Sequence, residues 1–210
     1  MKKKIFLSVI LGLIVSSVSF PQTSKHNIGV FVGSGLSNQS SILYGIGYDF
    51  GISYSYRFNE RFAIISGLDY DSRNSVDKIN FIDTLGVENN WKVNHKFDFI
   101  SLPILLNISF GNKIKYYANI GFSTNYLVKH NLMVDYGNKI ENTNGIEYYE
   151  RFEIDLNLGV GGLIPLSDKI DLIAEFRYKK GLNNLAKNKL EGATASTSTM
   201  LFLVGLNYKL

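Results

Sequence analysis

The chain has 210 residues, a length that suits one domain. It has no cysteine, which excludes disulfides, a cysteine-bound metal, a thiol nucleophile and a lipoprotein attachment residue. The formal charge of +4 includes Lys2, Lys3 and Lys4; without them 19 basic residues face 18 acidic ones, so the charge gives a nucleic-acid partner no support.

In chain order, Lys2-Lys3-Lys4 come first, then an apolar run from Ile5 to Val15, then Ser16, Ser17 and Ser19. This is the pattern of a secretory signal peptide. The run is short for a membrane-spanning helix, which needs about 20 apolar residues. Residues 1–22 are read as the signal and 23–210 as one barrel domain, with cleavage expected between Ser19 and Thr23.

The rest of the chain alternates. Ile28, Val30 and Val32 face Gly29, Phe31 and Gly33. Ile46, Tyr48, Phe50, Ile52, Tyr54, Tyr56 and Phe58 alternate with Gly47, Asp49, Gly51, Ser53, Ser55 and Arg57. Strict alternation of this kind predicts a strand with one apolar face. Similar segments run from Phe62 to Asp71, Ile100 to Phe110, Lys115 to Tyr126, Arg151 to Ile164, Ile170 to Lys179 and Thr199 to Leu210. That makes eight strands. Several are longer than the five or six residues usual in globular proteins, and suit the roughly 9–11 needed to cross a bilayer at a tilt. The composition agrees: 19 Gly, 13 Tyr and 14 Phe stand against 3 Pro. A mean hydropathy of +0.02 is too polar for a bundle of membrane helices and fits strands in which every second residue is polar.

Connections alternate in length. Residues 58–62, 111–113 and 165–169 form tight turns; residues 36–45, 73–96, 128–147 and 182–198 form longer polar stretches. Membrane barrels pair short periplasmic turns with long extracellular loops in this way. The expected fold is therefore all-β, an eight-stranded antiparallel up-and-down transmembrane β-barrel, with the apolar face toward lipid and the Gly-rich polar face inward. Outward aromatics then fall into two girdles: Tyr48, Tyr70, Tyr126 and Tyr178 near the extracellular ends, and Phe58, Phe62, Phe110, Tyr116 and Tyr208 near the periplasmic ends. Lipid offers an unpaired strand edge no hydrogen bonds, so the last strand is expected to pair with the first.

The segments Phe99-Ile100-Ser101-Leu102-Pro103-Ile104-Leu105-Leu106 and Ile114-Lys115-Tyr116-Tyr117-Ala118-Asn119-Ile120-Gly121 resemble the PorT-like outer-membrane β-barrel family. So do Leu158-Gly159-Val160-Gly161-Gly162, Pro165-Leu166-Ser167-Asp168 and Glu175-Phe176-Arg177-Tyr178. The C-terminus looks like an insertion signal through Gly205, Tyr208 and Leu210, although Leu210 replaces the commoner Phe. The resemblance implies the outer membrane, contact with its lipid and with the barrel-insertion machinery, and a porin-like label. Some members act in protein secretion, but no secretion-specific residue is matched. Secretion-machinery or surface partners are expected through the loops.

Inward charges of both signs follow from parity: Asp49, Arg57, Asp69, Asp71, Lys115, Arg151, Glu153, Asp155, Asp171, Glu175, Arg177 and Lys179. Buried charges need partners, so an ion-pair network filling the lumen is expected, rather than an ion path. Glu175 and Arg177 are expected to join that network with acids of the neighbouring strand such as Glu153 or Asp155. Of the three histidines, His95 lies near Ser72 and Asp98, a Ser/His/acid set of a kind that chance often assembles. No HExxH, P-loop or dinucleotide fingerprint is present, so no catalytic residue, metal or cofactor is expected. Trp91, the one tryptophan, is expected on a strand extension beyond the membrane or on a binding surface. Asp83-Thr84-Leu85 resembles an O-glycosylation site. A narrow porin for small solutes and a soluble lipocalin-like binding barrel are the alternative functions.

Overall fold

Among the described residues there are nine antiparallel strands: β1 (His26–Gln39), β2 (Leu43–Arg57), β3 (Phe62–Ile82), β4 (Glu88–Phe110), β5 (Lys115–Asp135), β6 (Ile140–Asn144), β7 (Phe152–Pro165), β8 (Ile170–Gly181) and β9 (Thr197–Lys209). The computed structural model describes residues 24–39, 43–82, 88–137, 139–187 and 195–210. The signal segment and Asp83-Thr84-Leu85 lie outside the described residues.

Eight strands close a ring in the order β1-β2-β3-β4-β5-β7-β8-β9, each hydrogen-bonded to the next. The seam between β9 and β1 is paired from Asn27↔Lys209 to Gln39↔Thr197. No strand of the ring is left with a bare edge along that length, the condition a bilayer imposes.

The ring has its apolar face outside. Ile46 is 69% exposed and Phe122 is 56% exposed, while the inward Asp49, Asp71 and Glu153 are fully buried. The lipocalin-like alternative needs the opposite order. Glycine serves the narrow interior and the close strand approach. At Gly35 a Cβ would collide with the Met200 backbone across the seam, and at Gly33 with the Leu203 side chain.

The short turns carry their own chemistry. Asn59 Oδ1 accepts from the backbone N–H of Arg61 (2.8 Å) and Phe62 (2.9 Å). Ser167 Oγ accepts from the Ile170 N–H at 3.1 Å. Gly111 takes φ +96, a conformation costly for any residue with a Cβ.

At the other end the structure departs from expectation. Segment 73–96 is not a loop: β3 and β4 run on as a paired ladder from Arg73↔Phe97 to Ile82↔Glu88. Segment 128–147 continues β5 to Asp135 and returns as β6, paired from Asn131↔Asn144 to Asp135↔Ile140. The 36–45 stretch is likewise mostly ladder, with Ser37 opposite Gly45. The reason is physical. Alternation reveals a strand only while its outer face must be apolar. Past the lipid that face turns polar (Asn74, Lys78, Asn80 on β3), yet the backbone ladder continues. A bulge between Asp98 and Phe99 marks the change on the β4–β5 pair and leaves both Val128 and Lys129 exposed.

Candidate functional site

Inward odd-numbered positions bring charges from distant strands into one interior. Arg73 is central, at 2% exposure. Its guanidinium donates to Asp71 (2.7 Å), Glu153 (2.7 Å) and Asp155 (2.5 Å), and to the Thr197 hydroxyl. Thr197 in turn donates to Glu153 at 2.9 Å. Phe99 lies under the guanidinium, 4.7 Å from ring centre to Cζ. These bonds tie β3 to β7 and β9 across the lumen. Lys179 of β8 makes a second crossing, to Asp49 of β2 (2.7 Å) and Asp71 of β3 (3.1 Å). A lumen crossed at two such places is braced by its side chains, not lined by them.

One layer lower, Arg177 binds Glu175 on its own strand at 2.6 Å and stands 4.0 Å from Asp69 across the barrel. Glu175 also accepts from Tyr117 Oη (2.8 Å) and Asn119 Nδ2 (3.0 Å). The expected pairing of Arg177 with Glu153 or Asp155 is not what forms. Register places Gly159 opposite Arg177 and Asp155 opposite Gly181, so those two acids sit too far along β7; Arg73 takes them. A cavity of about 70 Å³ bordered by Phe31, Tyr117 and Arg177 lies at this level.

Toward the short-turn end, Lys209 binds Asp171 at 2.7 Å. Arg57 and Lys115, both expected in the network, are not joined to it. Among the described residues neither has a carboxylate within ion-pair distance, and Arg57 Nε is buried without a hydrogen-bond partner.

The opposite mouth is closed by apolar packing. Phe97, Phe99 and Leu127 pack with Leu185 and Ala195 from the β8–β9 connection. The β6–β7 connection adds Tyr149, whose neighbour Glu150 donates its N–H to the Leu185 carbonyl at 2.6 Å. His130 is wedged into this cap against Phe97 (4.4 Å between ring centres), Tyr149 (4.5 Å) and His95 (5.8 Å). Among the described residues neither nitrogen of the His130 ring has a partner in hydrogen-bond geometry. Burial pushes His130 down to about 4, with His95 beside it adding to the effect, and burial lowers His95 as well.

The Ser72/His95/Asp98 set does not assemble. Ser72 and Asp98 have outward parity, and Ser72 donates to Asp98 at 2.6 Å, whereas His95 has inward parity and stacks on Phe97 and His130. Trp91 lies on the extended β4, its ring 4.7 Å from that of Tyr136. The outward aromatics Tyr48, Tyr70, Tyr126 and Tyr178 lie toward the long-connection side. Tyr48 stacks on Tyr70 (6.3 Å), and Tyr126 meets Phe152 edge-on (5.2 Å). At the short-turn end Phe110 stacks on Tyr116 (5.8 Å), Phe58 meets Tyr56 (5.3 Å), Phe62 opens β3, and Tyr208 sits opposite Ile28. Gly205 lies opposite Phe31 in the same seam, and Leu210 donates its N–H to the His26 carbonyl at 3.0 Å.

Sequence reasoning missed Arg73 and Thr197 as network members. Arg73 keeps the parity of Asp69 and Asp71, which was the available signal. The cap residues Leu185 and Tyr149 lie in segments without periodicity and gave none.

Comparison with known proteins matches this architecture. The solved structure of Neisserial surface protein A superposes with a TM-score of 0.51 at 17% identity, covering 89% of this chain and 98% of that one. A major outer membrane protein from Thermus thermophilus gives 0.51 at 10% identity, over 88% and 99%. At these identities the likeness is one of fold. No curated protein matches the sequence. The model of the outer membrane protein beta-barrel domain matches residues 5–187, most of the chain. By that match and by its closed ring with an apolar exterior, the chain belongs to the outer membrane protein beta-barrel domain family.

Proposed function

We propose that the chain is a non-enzymatic outer-membrane barrel with a plugged lumen, which acts through the sheet that β3, β4, β5 and β6 raise above the membrane. The carrying observation is Arg73, which crosses the interior to Glu153, Asp155 and Thr197 where a solute would have to pass. The raised sheet offers ordered backbone and side chains for surface contacts. The PorT-like resemblance supports a secretion-machinery partner as one such contact. Residues 1–22 serve as the export signal and 23–210 as the barrel. Gly205 and Tyr208 on the closing strand, with Leu210 just past it, are what the insertion machinery reads, and the two sets of outward aromatics sit at the two lipid boundaries.

Recording from the purified protein in planar bilayers tests the reading. A silent membrane at protein densities where a porin control conducts is the expected result. Discrete conductance steps would overturn it in favour of a narrow porin, the reading that the 70 Å³ cavity alone would permit.

A further inference from the structure

The periplasmic end of the lumen gathers positive charge that the protein does not answer. Arg57 ends β2, Lys115 opens β5 and Lys209 ends β9, all with inward parity. Lys209 is matched by Asp171 at 2.7 Å. Among the described residues Arg57 and Lys115 have no carboxylate within ion-pair distance, and the buried Arg57 Nε has no hydrogen-bond acceptor. A buried donor without an acceptor is unfavourable, so the position asks for an acceptor.

Space for one is present. A hollow of about 470 Å³ opens on one side of Arg57, Asn112 and Lys115, and another of about 550 Å³ on the other side. The same three residues form the wall shared by both. Lys113 borders the first hollow and Lys25 the second, while Glu60, Asp168 and Asp171 supply fewer negative charges at the rim. Guanidinium is a planar fork of donors that fits an oxyanion, lysine adds a point charge, and an asparagine amide adds neutral donors.

We propose that this periplasmic mouth binds a phosphate-type oxyanion, held by Arg57 and Lys115 with Asn112 between them. A doubly charged tetrahedral anion answers both cations and the fork together, whereas chloride answers only the charge. The anion can be free phosphate or the phosphate of a periplasmic-leaflet headgroup. The proposal stands apart from the contact function of the raised sheet.

The test is calorimetry and thermal unfolding of the full barrel in a zwitterionic detergent, titrated with inorganic phosphate at ionic strength held constant with chloride. A parallel arm compares phosphatidylcholine vesicles with and without phosphatidylglycerol. Saturable stabilisation by phosphate is expected, with affinity falling at least about tenfold in Arg57→Gln and in Lys115→Gln and unchanged in Lys78→Gln on the far hairpin. Either mouth variant alone suffices if the other fails to show the gel shift of a folded barrel. Stabilisation only by phosphatidylglycerol, lost in the same variants, assigns the phosphate to lipid and supports the site. Equal stabilisation of wild type and both variants, or no response to either phosphate source, overturns it.

Discussion

The two halves of the lumen solve opposite problems with the same residue types. In the extracellular half Arg73 has three carboxylates and Lys179 two, all within 3.1 Å. In the short-turn half, among the described residues, Arg57 and Lys115 have none. The difference teaches where the charges are enclosed. Between the cap and the crossed pairs water is excluded, so an unmatched ion would cost several kcal/mol. At the mouth, solvent reaches the hollows, and a cation can wait for an outside partner.

Arg73→Met breaks this contrast most severely. It leaves Asp71, Glu153 and Asp155 buried together without their shared cation. A loss of about 3–5 kcal/mol is expected, seen as a lower urea midpoint in detergent and a lower temperature for the gel shift. Glu175→Gln keeps the shape but removes the charge facing Arg177, and should cost about 1–3 kcal/mol by the same measurements; an unchanged melt would refute a structural role for that pair.

His130 sharpens the comparison at the cap. Its folded pKa of about 4 lies below the ordinary 6.5, so the neutral ring is favoured by folding. The stability it contributes is present above pH 6.5 and is lost as pH falls toward 4. Protease cleavage within the 182–198 connection should therefore rise on acidification through that window, and His130→Leu should flatten the response. The smallest effect belongs to the mouth: without added phosphate, Arg57→Gln removes an unmatched cation and should leave stability unchanged or raise it by up to about 1 kcal/mol.

How much of this could be read in advance depends on what constrained each residue. The eight ring strands were legible because lipid forces most outward positions to be apolar, and the tight turns because Asn59, Gly111 and Ser167 have specific backbone work. Strand ends were not, since above the bilayer the ladder of β3, β4 and β5 continues while their outward positions no longer have to be apolar. β6 is five polar-leaning residues on an edge and leaves no pattern. The inward charges were legible by parity, but not their partners. Long side chains reach across a narrow lumen, so neighbours in the ring, such as β7 and β8, need not supply each other's counter-ions. Arg73 is hidden for the same cause as the strand ends: it opens the 73–96 stretch two residues past Asp71, where the apolar alternation stops.

The crossed pairs also bear on the order of assembly. Lys179 and Asp49 are 130 residues apart in sequence, and Arg73 and Thr197 are 124. Each joins the first strands to the last, so neither can form until the final hairpin has arrived. Contacts closed that late are expected to act mainly on the reverse rate, so Arg73→Met should speed unfolding more than it slows folding. The lumen network therefore works as a latch on the finished ring: it sets how long a barrel survives in the membrane, not how fast it gets there.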